Sequence, residues 1–183
     1  MSKALIIIDI QYDYFENGKS ELVGAKEAAE KARLLLDKFR KDRLPVIHIQ
    51  HIANRAGATF FIPGTKGSEI HEIVKPTQEE KLIIKHFPNS FRETGLLGHL
   101  QSNNITELII AGMITHMCVD STTRAAKDLG FNCTVISDAC ATKDLEINKE
   151  KVKAAEVQKA FLSALSHYYS TVKTTDEYLN NTN

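Results

Sequence analysis

The sequence has no excess of charge of either sign. Lys and Arg together number 23 and Asp and Glu together also number 23 among 183 residues. A protein that binds nucleic acid through its phosphates needs a basic excess, so the composition argues against that class, although it allows a local basic pocket. The longest apolar runs, residues 4–8 and 108–113, are far shorter than a bilayer span requires. We therefore expect neither a nucleic-acid partner nor a membrane partner.

Cysteine is scarce and has no paired spacing. The three cysteines are Cys118, Cys133 and Cys140, and no CxxC motif occurs. This pattern argues against a disulfide framework and favours a reducing compartment. Met1 to Lys3 lead directly into a strand-like segment without the pattern of a signal peptide. We therefore expect a cytoplasmic protein.

Short apolar runs alternate with longer amphipathic stretches along the chain, and no internal repeat is visible. The pattern predicts strands at residues 4–8, 45–49, 82–84, 107–111, 132–137 and 170–172. It predicts helices at residues 24–43, 93–101, 116–129, 149–165 and from 176. Such alternation is typical of an α/β fold in which helices cover a parallel sheet. We expect one domain over residues 1–183.

Residues 52–81 interrupt this alternation. They are rich in glycine and proline and show little periodicity. Long loops of this kind in compact domains are often functional, so we expect a lid or a pocket wall here.

Three reactive side chains fall at the carboxyl ends of predicted strands, where open parallel sheets bind their ligands. Asp9 ends the first strand, Lys85 ends the third, and Cys118 follows the fourth. Thr115 is a candidate N-cap that would place Cys118 in the first turn of a helix. The helix dipole and a nearby lysine would lower the pKa of the thiol there. A thiolate beside backbone N–H groups can attack a carbonyl, with Asp9 moving the proton.

Each of these residues also has a simpler interpretation. Cys118 stands between Met117 and Val119, and a free cysteine in such surroundings is more often a small buried hydrophobe. Asp9 could cap a turn, and Lys85 could be solvated at a strand end. Only their convergence on one sheet edge favours catalysis.

These residues resemble the isochorismatase-like cysteine hydrolases, the superfamily that includes nicotinamidases and N-carbamoylsarcosine amidases. The matching segments are residues 4–13 with Phe15, 63–65 with 69–71, Lys85 with Ser90 and Phe91, 112–119, and 137–142. The resemblance extends over nearly the whole chain in order.

The resemblance implies a three-layer α/β/α fold whose six-stranded parallel sheet has the order 3-2-1-4-5-6. It implies a catalytic triad of Asp9, Lys85 and Cys118. It also implies a cis peptide bond between Met113 and Ile114, beside an oxyanion hole formed by the N–H groups of Ile114 and Cys118. Members commonly associate, so we expect a homo-oligomer, a dimer or larger.

Several further residues at the same sheet edge are candidates for substrate binding. They are Gln11, Phe15, His51, Phe91 and Thr115. The aromatic members can equally be satellite core. A structural or surface role for His51 is as compatible with the sequence as a pocket role.

The resemblance departs from nicotinamidases at the metal site. Those enzymes bind a metal through an Asp-x-His pair and two further histidines after the second strand. Here that strand ends His48-Ile49-Gln50-His51 without the aspartate, and His71 is alone in its segment. Two histidines without a carboxylate make a poor metal site, so we expect no metal and no other cofactor.

The cysteine separates two branches of the superfamily. True isochorismatases cleave a vinyl ether by acid catalysis and usually lack it, whereas this chain has Cys118. We therefore expect a hydrolase that cleaves an amide-type C–N bond of a small-molecule substrate through a thioester. A vinyl ether hydrolase and a catalytically idle member of the same fold are the alternatives.

Overall fold

The computed structural model describes residues 2–180 and contains eight strands. They are β1 (Ser2–Ile8), β2 (Val46–His51), β3 (Lys81–Lys85), β4 (Ile105–Met113), β5 (Asn132–Ala141), β6 (Leu145–Ile147), β7 (Glu150–Val152) and β8 (Thr171–Lys173). Six of them form one sheet in the order β3-β2-β1-β4-β5-β8, and every neighbouring pair in it is parallel. The predicted fold class and strand order are therefore confirmed, with β8 as the sixth strand of the sheet.

The centre of the sheet is apolar because it is covered on both faces. Residues 4–8 of β1 are all buried, and β1 pairs with β2 on one side and β4 on the other. Leu5 thus lies between Val46 and Ile109. A parallel strand in this position has no polar face, which explains the unbroken hydrophobic run.

Within the described part of the chain, five α-helices surround the sheet. They are α1 (Ala25–Lys41), α2 (Leu96–Ser102), α3 (Asp120–Asp128), α4 (Ala154–Tyr168) and α5 (Thr175–Asn180). Helix α1 buries its apolar stripe, including Leu35, Leu36 and Phe39, against β1, β4 and β5. Full burial of such a side chain contributes about 1.5–3 kcal/mol. None of the five helices combines the length and the apolar character that a bilayer crossing requires.

A hairpin replaces the predicted start of the fourth long helix. Residues 149–165 were predicted to be helical, but β6 and β7 pair antiparallel, and α4 begins only at Ala154. Asn148 and Lys149 adopt positive φ angles of 52° and 66°. These angles form the tight turn of a two-residue hairpin loop. Asp144 then accepts a hydrogen bond from the Ala154 N–H at 2.8 Å, which stabilises the start of the helix.

The long segment after β2 is ordered by short turns and one buried aromatic residue. Residues 66–68 and 72–74 form 3-10 turns. Phe61 is fully buried, and its N–H donates to Asp13 Oδ2 at 2.6 Å. Gly67 passes directly over the same carboxylate, where a Cβ atom would collide with it. Asp13 therefore attaches this segment to the body of the domain.

Candidate active site

Asp9 is the first residue after β1 and is completely buried. Its backbone has a φ of 49°, in the left-handed region that non-glycine residues seldom adopt. Strain of this kind persists where the surrounding structure determines it, and it concentrates at functional sites. The conformation places Asp9 Oδ2 2.7 Å from Lys85 Nζ.

Lys85 is the last residue of β3 and is also completely buried. Besides Asp9, its ammonium lies 3.2 Å from His51 Nδ1 and donates to the carbonyl oxygens of Phe87 (3.1 Å) and Pro88 (3.3 Å). A buried ammonium is costly unless it is paired and hydrogen-bonded. These partners meet that requirement and fix the position of the charge.

Cys118 lies in a π-helical turn, Thr115–Val119, that joins β4 to α3. Ligand atoms of Asp9, His51 and Cys118 all lie within 4.8 Å of one another. The structure thus brings the carboxylate, the ammonium and the thiol together, as the sequence predicted. Cys118 is only 3% exposed, so the surrounding side chains largely enclose it.

The turn before Cys118 differs in detail from the sequence prediction. Thr115 was expected to be an N-cap and a substrate contact, but it is the first residue of the π-helical turn. Its hydroxyl is fully buried and donates to the Ala141 carbonyl at 3.0 Å. Thr115 therefore links the turn to β5 instead of capping it.

The backbone at the end of β4 approaches β1 very closely. Gly112 has a φ of 134°, and a Cβ atom there would collide with the Ile8 backbone. The peptide bond between Met113 and Ile114 is cis, at the position that the resemblance implies. Only glycine allows this approach of the two strand ends.

The protonation state of the thiol corrects the sequence analysis. A lowered pKa was expected for Cys118, but burial and the Asp9 carboxylate together raise it to about 12, against the opposing effect of Lys85. Burial also raises the pKa of Asp9, with Lys85 opposing it. Burial lowers the pKa of Lys85, but Asp9 and Cys118 more than offset this and raise it above its usual value. The resting site therefore holds a neutral thiol beside the buried Lys85–Asp9 pair.

The raised pKa does not by itself distinguish Cys118 from the other cysteines. Burial raises the pKa of Cys133 and of Cys140 to about 12 as well. Cys133 is buried and faces the carbonyl oxygens of Thr123 and Phe131. What distinguishes Cys118 is the acid–base pair beside it.

Gln11 was predicted to bind substrate, and the structure does not support this role. Its side chain is fully buried, and its amide donates to the carbonyl oxygens of His51 (2.9 Å) and Ser68 (2.8 Å). Its carbonyl accepts from the His51 N–H at 2.7 Å. The amide is therefore occupied by backbone groups, and it positions the end of β2.

The two predicted aromatic contacts lie in different surroundings. The Phe15 ring stacks on His71, with the centroids 3.8 Å apart, and lines an acidic groove beside the start of α1. Phe91 is half-buried, and its ring stacks 6.1 Å from Phe131. Substrate contacts by Phe15 and Phe91 stay predictions.

Sequence reasoning assigned no role to Tyr14, which belongs to the site. Tyr14 is buried, and burial raises its pKa well above the usual value, with further contributions from Cys118 and Asp9. Its ring meets Phe61 edge-on, with centroids 4.7 Å apart. The sequence signal that could have identified Tyr14 as a site residue is its position in the segment that begins with Asp9.

The side chains at this edge do not suit a metal ion. Within residues 2–180, the three that approach one another as metal ligands would are Asp9, His51 and Cys118. Lys85 Nζ already lies within hydrogen-bonding distance of the Asp9 carboxylate and of His51 Nδ1. A dication there would displace a buried ammonium or be repelled by it. Position 49, where the resemblance to nicotinamidases would place the aspartate of the metal site, is a buried isoleucine.

Comparison with known proteins gives consistent matches over most of the chain. The family model of the isochorismatase domain matches residues 3–177. The uncharacterized isochorismatase family protein YddQ of Bacillus subtilis is 49% identical over 179 residues, covering 98% of this chain and 99% of that protein. The crystal structure of a putative isochorismatase hydrolase from Oleispira antarctica superposes with a TM-score of 0.94 at 46% identity, covering 98% and 97% of the two chains. Nicotinamidase 3 of Arabidopsis thaliana is 25% identical over 158 residues, covering 80% of this chain and 76% of that protein.

Proposed function

Because the chain belongs to the isochorismatase family of hydrolases, we propose that it is a cysteine hydrolase that cleaves an amide-type C–N bond of a small molecule. The observation that carries the proposal is the buried contact of 2.7 Å between Asp9 and Lys85 beside the Cys118 thiol. The similarity to a nicotinamidase adds support for an amide substrate.

The raised thiol pKa assigns the first proton transfer to Asp9. A thiol with a pKa of about 12 is protonated at neutral pH, so it must lose its proton as it attacks. Asp9 accepts that proton while the sulfur bonds to the carbonyl carbon, and it returns the proton to the nitrogen as the C–N bond breaks. The amine then leaves, and a thioester remains on Cys118.

Hydrolysis of the thioester uses the same carboxylate. A water molecule donates a proton to Asp9 as its oxygen attacks the thioester carbon, and the C–S bond breaks. The carboxylic acid leaves, and Asp9 returns the proton to the sulfur. Lys85 lowers the pKa of Asp9 between the proton transfers, and it stabilises negative charge on the sulfur.

Two backbone N–H groups, of Ile114 and Cys118, are the proposed oxyanion hole. Cys118 lies in the turn that carries the nucleophile and Ile114 directly precedes that turn, so attack by the sulfur would bring the carbonyl oxygen close to both N–H groups. Donors fixed in this way stabilise the charge of the tetrahedral intermediate, and loss of one costs about 2.7–4 kcal/mol.

The enclosure of the site indicates a small substrate and a mobile cover. Asp9 and Lys85 have no exposed surface, and Cys118 has 3%. The segment 53–66 lies beside the site through Phe61, whose ring centroid is 5.7 Å from that of His51. We expect the exposed part of this segment, residues 54–57, to move when a substrate enters, while Phe61 stays packed.

The homo-oligomeric state and the cytoplasmic location stay predictions. Sedimentation of the purified protein checks the oligomeric state.

A screen of primary amides with ammonia detection identifies a substrate, and variants of two cysteines then test the mechanism. We expect Cys118→Ala to abolish turnover and to leave the unfolding midpoint near that of the wild type. The control is Cys133→Ala, which removes a buried thiol outside the site. Full activity in Cys118→Ala refutes the mechanism. Turnover without release of ammonia or amine would indicate vinyl ether hydrolysis instead.

A further inference from the structure

The four acceptors around the Lys85 ammonium are of two kinds. The carbonyl oxygens of Phe87 and Pro88 follow Lys85 directly in the chain and are backbone atoms. The Asp9 carboxylate and the His51 ring lie on the side of the thiol, since both approach Cys118 within 4.8 Å. An ammonium has three hydrogens, so these four acceptors compete for them. Asp9 and His51 therefore determine how close the Lys85 ammonium lies to the Cys118 sulfur.

The His51 ring is held in one place and in one protonation state. The backbone of His51 exchanges two hydrogen bonds with the Gln11 amide, at 2.7 and 2.9 Å, and its ring packs 5.7 Å from Phe61. Burial and the neighbouring Lys85 ammonium together lower the His51 pKa to about 4, so the ring is neutral at pH 7. Because Nδ1 faces the ammonium, it is the acceptor, and the ring hydrogen lies on Nε2.

We propose that His51 is a positioning residue: its Nδ1 accepts a hydrogen bond from Lys85 and thereby keeps the ammonium between Asp9 and Cys118. This inference rests on the proposed function, since it concerns the same thiol. It replaces the substrate contact that the sequence suggested for His51. It also explains why the Gln11 amide is used entirely by the backbone, because that amide fixes the strand end from which His51 projects.

The alternative role for His51 is ligation of a metal ion. The lone pair of Nδ1 would have to bind the metal, but it lies 3.2 Å from Lys85 Nζ. The two roles differ in the replacements that they tolerate. A glutamine presents an oxygen acceptor to Lys85, whereas it is a poor substitute for an imidazole ligand.

Three variants test the inference: His51→Leu, His51→Gln and the control His99→Leu, whose histidine lies on α2 in a groove beside Arg40 and Lys81. We expect His51→Leu to lower kcat/KM about 10- to 100-fold, mainly through kcat, which is about 1.4–2.7 kcal/mol at 1.36 kcal/mol per tenfold. His51→Gln should recover most of this loss, and His99→Leu should match the wild type. Equal unfolding midpoints for the two His51 variants would show that the difference in kcat/KM between them does not come from a difference in stability.

A second readout needs no substrate. The rate of Cys118 alkylation by iodoacetamide at pH 8, followed by mass spectrometry, reports the thiolate that Lys85 stabilises. We expect His51→Leu to slow alkylation of Cys118, His51→Gln to restore it, and the rate at Cys133 to stay unchanged.

The outcomes distinguish the two proposals. Unchanged turnover and alkylation in His51→Leu overturn the positioning role. Loss of activity in His51→Gln as large as in His51→Leu also overturns the positioning role. If a chelator removes the wild-type activity and Zn²⁺ restores it, the positioning role is overturned and His51 is a metal ligand instead. If the wild type hydrolyses no amide but Cys118 alkylation follows the expected order, the positioning role stands and the proposed function fails.

Discussion

Replacement of Asp9 by asparagine should move two properties of the same site in opposite directions. The carboxylate is the proposed base for Cys118, so its loss should slow turnover. The same carboxylate raises the pKa of the Cys118 thiol, so its loss should make the thiol more reactive toward an alkylating reagent. Asparagine suits the position because it tolerates the left-handed backbone conformation found at Asp9.

The magnitudes follow from the geometry of the pair. General-base catalysis contributes about 10²- to 10⁴-fold, and we expect kcat/KM to fall by that factor. Each unit by which the thiol pKa falls raises the thiolate fraction tenfold but weakens the nucleophile, so alkylation accelerates about threefold per unit. Lys85 loses the counter-charge of a completely buried ion pair, which costs about 3–5 kcal/mol of unfolding free energy.

The assay compares amide hydrolysis, Cys118 alkylation at pH 8 and urea unfolding in the wild type and in Asp9→Asn. The control is Asp37→Asn, which removes an exposed carboxylate 2.7 Å from Arg33 and should change none of the three. Slower alkylation of Cys118 in Asp9→Asn would refute the electrostatic reasoning. Turnover above a tenth of the wild-type rate would refute the assignment of Asp9 as the base.

Two further predictions concern the stability of the fold. Burial would raise the pKa of Glu80, but hydrogen bonds from Arg40 and the Thr77 N–H lower it to about 2 from a usual 4.5. The charged Glu80 therefore stabilises the fold above about pH 4.5. This stabilisation is lost as the pH falls toward 2. Glu80→Gln should lower the free energy of unfolding, measured with urea at pH 7, by about 1.5–3 kcal/mol and weaken its pH dependence. Equal stability of the variant and the wild type at pH 7 would contradict this prediction. Gly112→Ala should cost about 2–6 kcal/mol because a Cβ atom collides with Ile8. Gly98→Ala, in open space within α2, should instead add about 1 kcal/mol, and similar effects of the two glycine changes would disprove the close approach.

The residues at the strand ends were predictable because their signals are local. Asp9 and Lys85 each end a short apolar run, and strand ends of a parallel sheet share one edge whatever the loops do. The order of the strands came from the resemblance of whole segments. That information survives in the sequence because a buried parallel strand must be apolar on both faces.

The hairpin at residues 145–152 was missed because the evidence for it is tertiary. Helical periodicity extends back from α4 into Lys149, and nothing in the sequence opposes it. The boundary depends on Asp144, whose carboxylate accepts the Ala154 N–H, and on positive φ angles that lysine seldom adopts. The hairpin is therefore decided by one side-chain contact and one turn.

The sequence alone determined which groups could react: a thiol, a carboxylate and an ammonium at one edge of a parallel sheet. Their protonation states were decided only by the tertiary structure. A position near a helix start suggested a thiolate at Cys118, but the folded chain excludes water from the sulfur and places a carboxylate beside it. Burial disfavours any charge that is not paired, and sequence spacing does not specify burial.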